Sequence, residues 1–418
     1  MTPGINGLAR STASQGGSST ATQRLLEPPH DAGIWHQGAI FLAPAKIENP
    51  NFDAARQGIA RYGENGEQRP PIKGMSTLLD SSRLPEVIAA TILSCLCLTV
   101  SAASGQTDPL LSWSDGPAKH AIVSFVREAT DRSSANYVAP QDRIVAFDQD
   151  GTLWVEHPLY TQGVFALDRV HELAPTHPEW REQQPFAAVL ASDRPAMARF
   201  SEADWANIVD VTHAGMSSDA FQEIVRDWLE KASDPRFHRP FTELVYQPML
   251  EVMRFFRANG FKTYIVTGGG EEFVRVYSER AYGVPTEQVV GSSILTQYEY
   301  RDGRPVLMRE PKIFFIDDHG GKPVGINLFI GKRPCAAFGN STGDQQMLEW
   351  TQAGKGARLM MLVLHDDPER EYAYGPAGGL PDTKVGVFSD ALMAEARRNG
   401  WTIISMKKDW KRIFGFEK

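Results

Sequence analysis

The stretch Ile144–Glu156, IVAFDQDGTLWVE, runs four apolar residues into two aspartates, Asp148 and Asp150, and then breaks at Gly151 and Thr152. Residues i and i+2 of a strand face the same side, so both carboxylates reach one small space as the strand gives way to the loop. Two like charges that close repel, and leaving them unpaired is expensive. A third acid, Asp344, ends the polar loop GNSTGD, and three carboxylates together call for a cation. Hard oxygen ligands with water left in the shell suit Mg2+. Elsewhere the apolar strand FKTYIVTGGG ends in Thr267 and three glycines, directly before a helix read over EEFVRVYSERAYG. The free backbone N–H groups of that helix start would point back at the strand end, an anion site. A cation, an anion site and a lysine together describe phosphoryl transfer, in which positioning and charge neutralisation do most of the work.

These residues need a scaffold that brings strand ends together. From about Asp108 the chain alternates strand-like and helix-like segments, which predicts an α/β fold, a Rossmann-like doubly wound parallel sheet. RIVAFDQD is its first strand, and a gap of roughly 90 residues precedes the next, far more than a crossover needs. Inside the gap, Phe221, Ile224, Val225, Trp228 and Leu229 follow helical spacing, with Ser218 or Asp219 available as the cap. The gap has no convincing strands, so 156–244 is read as a small helical cap, and 108–155 with 245–418 as the α/β core. QPMLEVMRFFRANG returns as a helix ended by Asn259 and Gly260. YEYRDGRPVLM reads as a hairpin turning at Asp302 and Gly303, and RPCAAFGNSTGD, ARLMMLVLHDD and WTIISM as later strands. In an open parallel sheet such strand ends line the crevice where ligands bind.

Composition narrows the partners. The chain has 418 residues, 42% of them hydrophobic, and a formal net charge of -8. That charge, with no basic run interleaved with aromatics, argues against nucleic acid and for a small molecule. The first 74 residues lack a sustained apolar period and read as a disordered or mis-started leader. Met75 then opens a segment, to about 103, that resembles a secretory signal: Arg83, the uncharged run Val87–Ala102, and small residues suiting cleavage near Ala102 or Ala103. The run is short for a membrane span, which leaves the mature chain without a stable one; anchorage through 87–102 and a lipoprotein site at Cys95 are the alternatives. The expected location is periplasmic or secreted. An exported chain keeps only Cys335, which is expected to pack as a small buried residue.

The residues also resemble a family. DQDGT is similar to the first signature of the haloacid-dehalogenase-like phosphohydrolases, YIVTGG to the second, GKPVGI with Lys322 to the third and GNSTGD to the fourth. A gap between the first and second signatures resembles the phosphoserine-phosphatase-like branch with its helical cap, and DGTLWVEHPLYTQ, YQPMLE and DWKRIFGFEK resemble exported bacterial members. The resemblance implies Asp148 as nucleophile forming an aspartyl-phosphate and Asp150 as general acid and then base. It implies Thr267 and the backbone after it, at Gly268, as phosphate ligands, and Lys322 as the group that neutralises the phosphate and orients Asp148. It implies Mg2+ held by Asp148, the carbonyl of Asp150 and Asp344. Many relatives carry Asp where this chain has Asn340, which still offers a carbonyl oxygen to the metal but no charge.

Taken singly, each element has a structural reading, as an Asp-Gly turn, a glycine turn or a polar loop; the ordered set supports catalysis. Glu156 and His157 stand where the strand passes into the cap, to touch substrate or to support the loop. His213, His319 and His365 have no metal-like spacing and read as surface or hydrogen-bonded residues. Trp180, Trp205 and Trp228 read as cap core, or as an aromatic face for a cationic head group. The expected activity is a Mg2+-dependent phosphomonoester hydrolase acting on a small phosphorylated metabolite. A phosphotransferase or phosphomutase shares all four signatures, a dehalogenase needs no acid at 150, and an inactive binding protein would not need the full set.

Overall fold

The computed structural model describes residues 108–417, so the readings for 1–74 and 75–103 lie outside the described residues. The main sheet has seven strands: β1 (Ile144–Phe147), β2 (Lys262–Gly270), β3 (Val289–Arg301), β4 (Arg304–Phe315), β5 (Ala336–Gly339), β6 (Leu359–Leu364) and β7 (Thr402–Ser405). Their order is β4-β3-β2-β1-β5-β6-β7. Every neighbouring pair is parallel except β3 with β4, which form the hairpin turning at Asp302 and Gly303, both at positive φ.

Strand alternation divides the interior into two layers. Val145 and Phe147 face one way, onto Ile122 and Phe125 of helix Pro117–Thr130 and onto Met249, Val252 and Phe256 of helix Gln247–Ala258. Ala146 faces the other, with Ile326, Met347, Leu348, Leu362 and Leu392. Burial of such a side chain contributes roughly 1.5–3 kcal/mol. Phe256, fully buried between Phe147 and Phe261, would cost about 3–5 kcal/mol if cut to Ala. Cys335 is buried and its thiol donates to the Ile144 carbonyl.

Between β1 and helix Gln247–Ala258 the chain is mostly helical, with long helices at Thr161–Leu173, Glu202–His213 and Ser218–Lys231. Ala166, Val170, Trp180, Phe186, Val189 and Ile208 pack as a separate cluster with Trp205 at its edge, whereas Phe221, Val225 and Leu229 join the main core, and Trp228 packs against it. Ser218–Lys231 is capped by Ser217, whose hydroxyl accepts from Ala220 N–H, and not by Ser218 or Asp219. One short antiparallel pair, Ser233–Asp234 with Arg239–Pro240, follows it, a structure too brief to leave an alternating pattern. Among the described residues no helix is long and apolar enough to cross a membrane.

Candidate active site

Asp148 follows β1 directly, its N–H still bonded to the Phe338 carbonyl of β5 at 2.9 Å. The Gln149 carbonyl then accepts from Thr152 and Leu153 N–H, closing a tight turn with Gly151 at φ 73°. A Cβ at Gly151 would lie 2.1 Å from Asn340 Nδ2 and 2.3 Å from Glu156 Oε1, so glycine is required on both conformational and steric grounds. Trp154 Nε1 donates to Asp150 Oδ1 at 2.7 Å while its ring stacks on Tyr277. Burial raises Asp150 to about 6, against the lowering effect of Trp154 and of Lys322. A carboxyl poised there can both give and take a proton near neutral pH.

Lys322 stands in the short helix Gly321–Gly325 and is buried. Its Nζ donates to Asp148 Oδ1 at 2.5 Å, to Asp344 Oδ1 at 2.6 Å and to the Val266 carbonyl at 3.0 Å. Burial alone would lower its pKa, but the Asp148 and Asp344 charges outweigh that and hold it well above the usual lysine range. Burial and the Asp344 charge push Asp148 up while the ammonium pulls it back. On balance Asp148 stands well above the usual carboxylate range, so the ammonium offsets its burial only in part. The two nearest lysines in sequence lie elsewhere: Lys332 pairs with Asp142, and Lys312 is exposed on β4.

Asn340 and Asp344 follow β5 in the turn Ser341–Asp344, a reciprocal cap. Asp344 is fully buried, with Oδ2 accepting from the Asn340 and Ser341 N–H groups and Oδ1 from Lys322. Thr152 Oγ1 lies 3.3 Å from Asp148 Oδ2 and 3.2 Å from Asn340 Oδ1, so the amide oxygen of Asn340 is on the Asp148 side.

Thr267 ends the straight part of β2, and its register against β3 shifts between Thr267 and Gly270. A Cβ on Gly269 would lie 3.3 Å from Thr267 Oγ1 and 3.6 Å from Asp150 Oδ2, so these two strand ends face one space. The long helix expected after the glycines is two five-residue helices, Glu271–Arg275 and Ser278–Tyr282. The expected free N–H groups are also taken at two positions: Gly269 N–H bonds Thr267 Oγ1, and Gly270 N–H bonds Gln162 Oε1. Glu271 and Glu272 in the first turn add negative charge where an anion was expected. The Thr267 hydroxyl is left facing the space, while the Gly268 carbonyl accepts from the Ser292 hydroxyl.

Glu156 is buried beneath the loop, where Oε1 accepts from Asn340 Nδ2 at 2.7 Å and Tyr374 hydroxyl at 2.8 Å. That is a supporting position, because a carboxylate so engaged offers nothing to a phosphate. The sequence reading did not single out Trp154, Gln162, Tyr374 or Glu371. Trp154 could have been found four residues after Asp150 in the same stretch. His157, His213 and His365 are hydrogen-bonded, His213 and His365 fully inside.

The oxygen donors here suit a hard divalent cation: the Asp148 carboxylate, the Asn340 amide carbonyl and the loop backbone after Asp148. Among the described residues no three His, Cys, Asp or Glu side chains converge as a metal cluster. The three-acid arrangement expected from sequence is altered by Lys322, which occupies the space between Asp148 and Asp344.

A mostly parallel sheet with an Asp-x-Asp turn, a buried lysine and a second acidic loop at adjacent strand ends defines a hydrolase of one large class. Residues 145–349 match the sequence model of the haloacid dehalogenase-like hydrolases. No curated protein matches it. A protein of unknown function from Anaerococcus prevotii is similar in structure, at 12% identity over 72% of this chain and 97% of its own, with a TM-score of 0.48. One from Bordetella pertussis shares 18% identity over 63% of this chain and 97% of its own, with a TM-score of 0.39. A phosphoserine phosphohydrolase-like protein from Francisella tularensis shares 14% over 53% and 88%, with a TM-score of 0.30.

Proposed function

We propose that this protein is a phosphatase, a Mg2+-dependent phosphomonoester hydrolase that works through an aspartyl-phosphate on Asp148. The observation that carries the reading is the Lys322 ammonium between Asp148 and Asp344, with Asp150 two residues on and held near 6. One Asp148 oxygen attacks phosphorus as the ester P–O bond breaks, and Asp150 delivers its proton to the departing oxygen. Asp150, now a carboxylate, takes a proton from water, whose oxygen attacks the aspartyl-phosphate; inorganic phosphate leaves and Asp148 is restored. Lys322 holds Asp148 in place and offsets charge on the transferring group, and Thr267 with Gly268 binds its oxygens. Asp148, Asn340 and the Asp150 carbonyl would hold Mg2+, which would supply charge neutralisation at the phosphoryl oxygens, while Asp344, its oxygens already taken by its own turn and by Lys322, would hold the ammonium in place.

The substrate is a small phosphorylated metabolite, and the run Val87–Ala102 supports an exported protein. The test is phosphate release from an aryl phosphate and from a panel holding phosphoserine, phosphocholine, phosphoethanolamine, nucleotides and sugar phosphates, with Mg2+ present. Release from one or more esters is expected. A folded, Mg2+-loaded protein inert toward all of them would overturn the reading.

A further inference from the structure

The segment from His365 to Phe388 lies beyond the family-matched residues, yet it touches three parts of the site. At the Asp148 turn, His365 Nε2 bonds the Gly151 carbonyl at 2.7 Å. At the Asn340 loop, Thr342 N–H donates to the Val387 carbonyl at 2.8 Å, and Tyr374 hydroxyl reaches Glu156, which holds Asn340 Nδ2. Where the chain leaves for the helical insert, His157 Nε2 meets the Val385 carbonyl and Thr383 hydroxyl, and Gly386 N–H bonds Tyr160 hydroxyl.

These contacts are built rather than incidental. His365, Glu371, Tyr374 and Glu156 are all buried, and the His365 and His157 rings stack on Tyr374. A Cβ on Gly386 would lie 1.7 Å from Glu156 Oε1, so the segment is shaped around that carboxylate. The far side is tied to the C-terminal region by Arg370, which donates to the Met406 and Trp410 carbonyls. A backbone carbonyl only accepts, so the Nε2 that meets Gly151 carries hydrogen. Nδ1 then shares a proton with Glu371 Oε2 at 3.0 Å, whichever partner holds it. The ring is thereby fixed in orientation from both sides.

We propose that this segment is a brace for the catalytic turn, in which His365 and Glu156 are positioning residues: His365 sets the Gly151 carbonyl and with it Asp150, and Glu156 sets the Asn340 amide with its oxygen toward Asp148. The inference rests on Asp148 and Asp150 being the reacting groups. A displacement of about 1 Å at such groups costs on the order of 10²-fold in rate.

The test compares His365→Phe, which keeps a flat ring without donors, with His365→Gln, whose Nε2–H reaches about as far. For His365→Phe, kcat on an aryl phosphate falls by about 10²-fold while KM changes by less than about threefold, and His365→Gln recovers most of the loss. A fold-only role would instead lower the active fraction and leave kcat per folded molecule alone. Hydrogen exchange supplies a readout independent of activity: in His365→Phe, amides of 148–156 exchange about tenfold faster or more, with the Phe256 and Phe147 layers unchanged. If the wild-type chain releases no phosphate, the phosphatase reading fails and the exchange arm alone decides the brace. If His365→Phe does not fold, Tyr374→Phe, which loses only the hydroxyl on Glu156, takes its place, with faster exchange expected at 156 and 340–344. Wild-type kcat and exchange in the folded variant, or exchange raised evenly across the domain, would overturn the proposal.

Discussion

Lys322 Nζ lies 2.5 Å from Asp148 Oδ1, inside the protein, and the same ammonium bonds Asp344. Removing it leaves two carboxylates facing each other away from water, a loss of about 3–5 kcal/mol. Lys322→Met is expected to show that loss in urea unfolding and to lack turnover. Adding Asp344→Asn removes one of the two charges, so the double variant regains part of the stability and none of the activity. A single Lys322→Met variant as stable as wild type would mean the ammonium is not needed to hold the pair.

Metal removal should silence the enzyme. With EDTA, the phosphoryl oxygens meet Asp148 and Asp150 with only Lys322 to offset the charge, so turnover stops, and Mg2+ restores it. The rate is measured on an aryl phosphate before stripping, after stripping and after readdition. Full activity in a metal-stripped sample would remove Mg2+ from the mechanism.

The two aspartates of the catalytic turn are expected to fail differently. Asp148→Asn loses the nucleophile and turnover on every ester. Asp150→Asn loses the proton donor, worth about 10²–10⁴-fold, which matters most for a poor leaving group such as an alkoxide. On an aryl phosphate the first step is partly spared while the second stays slow, so aspartyl-phosphate accumulates as a burst in rapid-quench kinetics. Equal loss on aryl and alkyl esters without a burst would contradict the acid–base role.

His213 carries a pH signature of its own. Burial, followed by the Arg309 charge, lowers it from 6.5 to about 3. Gln162 Oε1 is taken by Gly270 N–H, so its Nε2 donates to His213 Nε2, which must then be unprotonated. Between about pH 3 and 6.5 the unfolded chain binds the extra proton, so stability rises with pH through that window and is lost on acidification. The slope is at most about 1.4 kcal/mol per pH unit. His213→Gln should flatten it, read as the difference between wild-type and variant urea midpoints from pH 4 to 7. Parallel curves would show that His213 titrates alike in both states.

Sequence alone determined the order of the strands' chemistry and the class of fold. Four-residue apolar runs such as IVAF and AAFG are strands whichever neighbours they find, and polar residues directly after them fall at strand ends because the chain leaves the sheet there. Asp148, Asp150 and Thr267 were legible as strand-end residues for that reason, as was the interruption by a helical segment, whereas Lys322, in a short helix, was singled out only by the resemblance of GKPVGI. Tertiary structure decided what depends on distant pairing. Lys322 reaching into the acid pair, Asp344 saturated by the backbone of its own turn, and Glu156 turned under Asn340 are set by packing of segments up to about two hundred residues apart, which leaves no local period. The glycine-rich end of β2 misled in the same way: a helix start offers free N–H groups only if nothing else arrives, and Gln162, from a helix about a hundred residues earlier, does arrive. The brace from His365 to Gly386 could be seen only once β6 carried that segment beside the catalytic turn, since hydrogen bonds of that span follow from the sheet order and not from any local pattern.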